Sequence, residues 1–206
     1  MASPRRIGVE SSATRSALLD AAEQIMMEEG YAAVSSRRVA SRAGLKPQLV
    51  HYYFRAMDDL FLALIRRGAE RSVEQMSRIV GSKQPLRALW EFSSRPEAAR
   101  LAIEYVALAN HRKAIGAEMA RHAEQLRQLE TAMIAGLLSR QGLAAGELPP
   151  VSLALLISGL SRVLVMESAL GMRSGHAETL ALVERHLGQL EAGRVSDRKP
   201  PESRQN

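Results

Sequence analysis

An all-α fold is predicted for this chain on three observations. Ala and Leu dominate a sequence that is 46% hydrophobic and only 4% aromatic, and both are strong helix formers. Apolar residues recur at helical spacing, as at Leu18, Ala22, Ile25 and Met26. No long β-branched alternation marks a strand. At 206 residues the length suits one large domain or two small ones, with enough apolar material for a real core.

The elements follow in order. Residues 1–12, with Pro4 and two adjacent serines, read as a disordered tail. In it Arg5 and Arg6 are candidates for phosphate or a minor groove, with a plain solvated tail as an equal alternative. A first helix is predicted over 13–29, closed by Gly30 in a left-handed cap. Ser35 or Ser36 offers an N-cap for a second helix from about Arg37 to Ala43. Gly44 breaks that helix, and Pro47 opens a short third one that reaches Tyr53. The acids Asp58 and Asp59 suit the start of a fourth helix, which reaches Val80 before Gly81-Ser82, with Leu60, Leu64 and Val73 facing inward. Helices are then expected over 85–93, 96–110 and 113–140. A loop over 146–150 precedes helices over 151–170 and 176–190. That makes about nine helices, followed from Gly193 by a polar, Pro-containing tail that reads as disordered.

The segment Gly30–Met57 is the most informative. It holds five basic residues, Arg37, Arg38, Arg42, Lys46 and Arg55, and no Asp or Glu. Two short helical patterns in it are joined at Ala43-Gly44-Leu45, and the second ends in His51-Tyr52-Tyr53-Phe54. A short basic helix pair with hydrogen-bonding side chains at the head of its second helix suits the major groove of DNA. The whole chain carries a formal charge of +6 and a pI near 10.1, which favours an anionic partner. No cysteine is present, so disulfides and thiolate metal sites are excluded. The N-terminus lacks an apolar run after its basic pair, and Arg162 and Glu167 interrupt the most apolar segment. No secretion signal or membrane span is therefore expected, and the cytoplasm is the expected location.

The stretch from Thr14 to Leu60 resembles the tetracycline-repressor-like (TetR) family. The residues that carry the resemblance are LLDAAEQIMMEEGY, SSRRVASRAGL, and HYYF followed by DDL. The resemblance implies an N-terminal helix-turn-helix head of three helices and a larger C-terminal helical domain for ligand binding and dimerisation. It also implies a homodimer that represses transcription and leaves a palindromic operator when a small molecule binds. The corresponding divisions are a head with its arm over 1–57, a linking helix over 58–81, a ligand-binding and dimerisation domain over 82–193, and a tail over 194–206. Carried over by position, the recognition helix presents Lys46, Pro47, Gln48, Leu49, His51 and Tyr52. Arg37 falls where the family reaches a base from the second helix, and Ser36 and Tyr53 where it touches phosphate. Family members usually carry a Lys before the acidic pair that opens the fourth helix. Here Ala56 or Met57 stands in its place, which hands that phosphate contact to Arg55 or removes it.

Gln48 is the leading base reader, since a glutamine amide pairs with the N6 and N7 of adenine. Lys46 suits guanine or, more commonly, phosphate. His51 and Tyr52 suit phosphate or a thymine methyl. Phe54 is expected in the core, because three consecutive helical residues cannot share one face. In the C-terminal half, Trp90, Tyr105 and Met119 are candidates to line a ligand pocket, with Asn110, His111 and His122 as polar anchors; ordinary core or surface is the alternative for each. The last two helices are expected to form the dimer interface, with Ser158, Gly159 and Ser161 allowing close approach of another helix.

No catalytic site, metal site or cofactor is expected. The sequence has no Gly-rich phosphate loop and no Gly-x-Ser-x-Gly elbow. Neither His111 with His122 nor His176 with His186 is spaced for shared ligation. Glu104, Glu118 and Glu167 read as lone acids on a solvated face or in salt bridges. The expected partners are double-stranded DNA, a second copy of the chain and a small, largely apolar effector. The alternative is a helical membrane-surface or protein-interaction module, which would need its basic face beside a large apolar face on one long helix.

Overall fold

The structure, a computed structural model, describes residues 4–142 and 148–192, with the side chains of residues 4–12 excepted. Nine α-helices and one 3-10 turn make up the described residues, without strands. The helices are α1 (Pro4–Glu29), α2 (Ser36–Arg42), α3 (Pro47–Tyr53), α4 (Met57–Val80), α5 (Pro85–Ser93), α6 (Pro96–His111), α7 (Lys113–Arg140), α8 (Pro150–Ala169) and α9 (His176–Glu191). The all-α fold is as the sequence predicts, and most helix ends agree to within a residue or two.

Helix α1 is longer than expected. It starts at Pro4 and runs through Ser11-Ser12, where the sequence reads as a tail up to residue 12. Proline at the first helical position lacks only an N–H that has no partner there, and serine is a middling rather than a prohibitive helix residue. The expected tail over 194–206 and residues 146–147 of the expected loop lie outside the described residues, and Pro150, read as the loop's last residue, is the first of α8.

Two apolar cores are stacked along α4. The first gathers Leu18, Ile25 and Met26 of α1, Val39 of α2, Val50 of α3, Leu60 and Leu64 of α4, and also Leu108 and Ile115 from α6 and α7. The second gathers Met76 and Ile79 from the end of α4 with α5, the second half of α7, α8 and α9. The first core therefore does not stop at residue 57. Helices α6 and α7 close it from the side of the body.

Polar contacts bind the same elements. Arg67 of α4 pairs with Asp20 (2.5 Å) and with Glu23 of α1, and Arg71 reaches Glu23 (3.1 Å). Arg66 of α4 donates to Glu118 of α7 (2.7 Å), and Arg112 pairs with Asp58 at the start of α4. Glu104 of α6 accepts the N–H of Tyr31 at 2.7 Å. That contact bears on Gly30, whose φ of 85° and ψ of 165° lie in a region open to glycine alone. A Cβ there would also come within 3.2 Å of the Glu104 carboxylate. Gly30 has positive φ, but its extended ψ differs from the left-handed cap that the sequence suggests.

Helix α8 is 20 residues long with a mean hydropathy of 1.6, long and apolar enough by length and composition to cross a membrane. It carries Arg162 and Glu167, and core helices of soluble proteins pass the same test of length and composition. One face of it packs in the second core through Leu153, Ala154 and Ile157. The opposite face leaves Val151, Leu155, Leu156, Val163 and Met166 exposed. Ser158 and Ser161 are on the inner face, fully buried. Ser158 Oγ donates to Ala154 O (2.9 Å) and accepts from Arg127 of α7 (3.0 Å). The expectation that these two serines admit a second helix from outside is thus corrected. Their hydroxyls are used within the chain, and Gly159 alone of the three is exposed.

Candidate nucleic-acid interface and cavity

Helix α3 has only seven residues and is too short to hold itself in water. Its position comes from packing. Val50 and Phe54 are buried at i and i+4, while Leu49 and Tyr53 are half-buried beside them. Pro47, Gln48, His51 and Tyr52 are left on the outer face, as the helical period requires. Tyr52 is 76% exposed and meets Tyr53 edge to face at 5.0 Å. Phe54, read as the core residue of the aromatic run, is 3% exposed.

The turn before α3 fixes the angle between α2 and α3. Leu45 N–H donates to Ala40 O (2.9 Å), with Gly44 at φ 67°, the pattern of a Schellman cap. Ser35, rather than Ser36, caps α2, its Oγ accepting from Arg38 N–H. Ser36 becomes the first helical residue. Asp59 reaches back to the N–H of Ala56 (3.1 Å), so the place where the family usually carries Lys is a helix cap here.

The charges divide into two sets. Arg38 pairs with Glu29, and Arg42 with Glu28 at 2.8 Å. The Arg38 hydrogen bond, and its charge, hold the Glu29 carboxyl below its ordinary value. These acids end α1, just outside the acid-free segment, so the sequence pattern does not show the pairing. Arg37, Lys46 and Arg55 are exposed and carry no ion pair among the described residues. The open positive charge is thus smaller than five residues, and it flanks the exposed face of α3.

In the body, a cavity of about 540 Å3 runs along α4 between the levels of the two cores. Small side chains make its room. Ala69, Ala98, Ala102 and Ala123 line it, and a Cβ on Gly68 would meet nothing within 4 Å. Tyr105, Met119 and His122 are brought together in it. Trp90 is not with them. It lines a separate cavity of about 430 Å3 between α5, α6, α8 and α9. Asn110 and His111 line neither cavity and are exposed at the end of α6. Their place in the expected pocket is corrected, because the last turn of α6 lies beyond the cavity, next to the start of α7.

Glu118 is buried under three donors: Arg66 (2.7 Å), Arg121, and His122 through Nε2 at 3.0 Å. The Arg66 hydrogen bond, joined by the other two, holds its carboxyl down to about 2 against the penalty of burial. Burial pushes the Tyr105 phenol up, with the Glu23 carboxylate adding to it. Of the acids read as solvated or salt-bridged, Glu104 instead accepts a backbone N–H, and Glu118 is salt-bridged. The i, i+3 and i+4 spacing of Glu118, Arg121 and His122 is the signal that marks the second.

This head, with its exposed seven-residue helix behind a glycine turn, is of the helix-turn-helix class. Residues 18–64 match the family described as bacterial regulatory proteins, tetR family. Over those residues the head is similar to the heads of that family. A curated relative, the HTH-type transcriptional regulator BetI of Rhizobium meliloti (strain 1021), is 38% identical over 61 residues. That match covers 30% of this chain and 30% of the relative. Among solved structures, a transcriptional regulator from Saccharomonospora viridis in complex with choline superposes with a TM-score of 0.71 at 19% identity, covering 86% of this chain and 95% of that one. FadR from Bacillus subtilis in complex with stearoyl-CoA gives 0.65 at 16%, covering 86% and 98%. At such identities these structures establish the shared fold.

Proposed function

We propose that the chain is a DNA-binding transcriptional regulator that acts in the cytoplasm as a homodimer and leaves its operator when a small molecule binds. The observation that carries this is the outer face of α3. Gln48, His51 and Tyr52 stand exposed together, flanked by Arg37, Lys46 and Arg55 without carboxylate partners among the described residues. A rigid short helix with an amide at its head and open cations beside it fits a major groove, with Gln48 reading a base and Lys46, Ser36, Tyr53 and Arg55 on the backbone.

The head over 1–57, the linking helix over 58–81 and the body over 82–193 then have separate tasks, although they share a core. The exposed apolar face of α8, with Leu180 and Leu182 of α9, supports a second copy as its cover, since so wide a patch on one soluble chain marks an interaction surface. The apolar cavity beside α4 supports an effector. The two neighbouring structures hold choline and stearoyl-CoA, so this fold accommodates ligands of very different size. Binding must favour one spacing of the two heads, or nothing changes.

The test is a gel shift on DNA from beside the protein's own gene, run against flotation with anionic vesicles. Sequence-preferring DNA binding without flotation is expected. Flotation without DNA binding would instead favour a membrane-surface module, for which the exposed apolar face of α8 is the one supporting observation.

A further inference from the structure

The charges in the floor of the cavity beside α4 are already paired. Glu23 is paired with Arg67 and Arg71, and Glu118, which holds His122, with Arg66 and Arg121. Arg95 and Glu97, of opposite sign, stand exposed at the start of α6, and the Arg95 guanidinium lies over the Phe92 ring at 5.4 Å. A polar cleft adjoins the cavity and contains Arg71, Arg78 and Arg95, but Arg78 is paired with Glu74 (2.7 Å). No buried charge waits for a counter-ion. A charged ligand group seated at the floor, beside Tyr105 and Met119, would lose its hydration without gaining a partner, which is costly. Among the described residues Tyr105 is the one Phe, Tyr or Trp of the lining, so the several ring faces that hold a quaternary ammonium are not assembled there.

Two hydrogen-bonding groups in the lining lack partners. The Tyr105 hydroxyl makes no hydrogen bond among the described residues, and its raised phenol value keeps the proton on. His122 donates Nε2–H to Glu118, and its Nδ1 is enclosed without a partner. The enclosed atom is His122 Nδ1, and enclosed polar groups are nearly always satisfied in a working state.

We propose that the effector is an uncharged, mainly apolar molecule carrying one oxygen, which accepts a hydrogen bond from the Tyr105 hydroxyl while its apolar body fills the space beside Gly68 and Ala69. An effector that is also a donor, such as an alcohol, satisfies His122 Nδ1 as well. The anchors are joined to the linking helix, His122 through Glu118 to Arg66 and Tyr105 beside the Glu23 pairs to Arg67 and Arg71. Filling the cavity therefore acts on α4. This inference rests on the regulator reading and names the ligand class for it.

The test uses the full chain without DNA, by isothermal titration against probes with one apolar body. These are 1-octanol, octanoate, octyltrimethylammonium, heptyl methyl ether and octane. 1-Octanol should bind at least roughly tenfold more tightly than either ion, and the ether more tightly than octane, because only the ether can accept from Tyr105. Tyr105→Phe should weaken 1-octanol by roughly three- to tenfold, the worth of one hydrogen bond. Equal or tighter binding of either ion overturns the proposal, as does no 1-octanol binding up to its solubility limit. An ether no better than octane removes Tyr105 from it even if the variant proves unstable. Because no arm uses DNA, failure here leaves the regulator reading intact, and failure of that reading appears only in the gel shift.

Discussion

Gln48 has its aim set from behind. It stands on a helix that has no stability of its own, and the residues that hold that helix are Val50 and Phe54, on the opposite face. Gln48→Ala should leave the fold unchanged and cost roughly 1–3 kcal/mol at one base pair, relaxing sequence choice. Phe54→Ala should cost roughly 3–5 kcal/mol of stability and weaken binding to every sequence. Competition titration with single-base operator variants and thermal melts separate the two effects. Arg55→Ala should weaken all sequences alike and reduce the salt slope by about 1. The division of the aromatic run was legible in the sequence, because helical spacing alone forces one of the three inward. The capture of Arg38 and Arg42 was not, because it depends on how α2 lies against the end of α1.

Titration offers a second test at this scale. Glu118 sits at about 2 against an ordinary 4.5. A lowered carboxylate value means that the folded chain gives up its proton more readily than the unfolded one. The stability so gained is complete above about pH 4.5 and is lost as the pH falls toward 2. Glu118→Gln should flatten this acid limb in melts recorded across that window. Glu130 is raised by burial, which outweighs Arg127 and Arg162. Its contribution has the opposite sign, present below the ordinary carboxylate range and lost as the pH rises. Comparing the two Gln variants over the same buffers checks both signs.

At the scale of elements, α4 is tied to α1, α6 and α7 as well as to the helices it follows. The ends of the helices were legible because Pro47, Pro85, Pro96 and Gly44 mark them by local chemistry. The neighbours were not legible. Tyr31 and Glu104 lie 73 residues apart, and no periodicity reports on such a pair. Their contact gives the head a second connection to the body, so α4 is not the sole lever between them. Inserting Gly-Gly after Arg71 should therefore reduce, not abolish, the effect of ligand on DNA affinity. The insertion combined with Glu104→Ala should abolish it. Operator affinity measured with and without ligand in both variants checks this, and an unaltered response in the double variant would refute the coupling. In the same helix, Gly68 costs stability without a conformational need, since its φ is ordinary and its surroundings are open. Gly68→Ala should stabilise the chain by roughly 0.5–1 kcal/mol, read from denaturant midpoints.

At the scale of the whole molecule, the account requires two copies. The apolar outer face of α8 spans the helix from Val151 to Met166, and an isologous pairing would cover it on both chains at once. Light scattering should give a dimer at micromolar concentration, and Leu156→Arg should shift it to monomer and abolish operator binding together. The number and order of helices were legible in the sequence. The cavity was only partly so: Tyr105, Met119 and His122 were singled out, but Trp90, Asn110 and His111 could not be separated from them without knowing which turn of each helix faces α4. The most direct measurement is a footprint of the full chain on DNA flanking its own gene, titrated against salt. Two protected half-sites about 34–36 Å apart centre to centre, two chains per duplex and an affinity that falls steeply with salt are the predicted result. Uniform protection without preferred half-sites, or one chain per duplex, would contradict the reading of α3 as the recognition helix of a dimeric regulator.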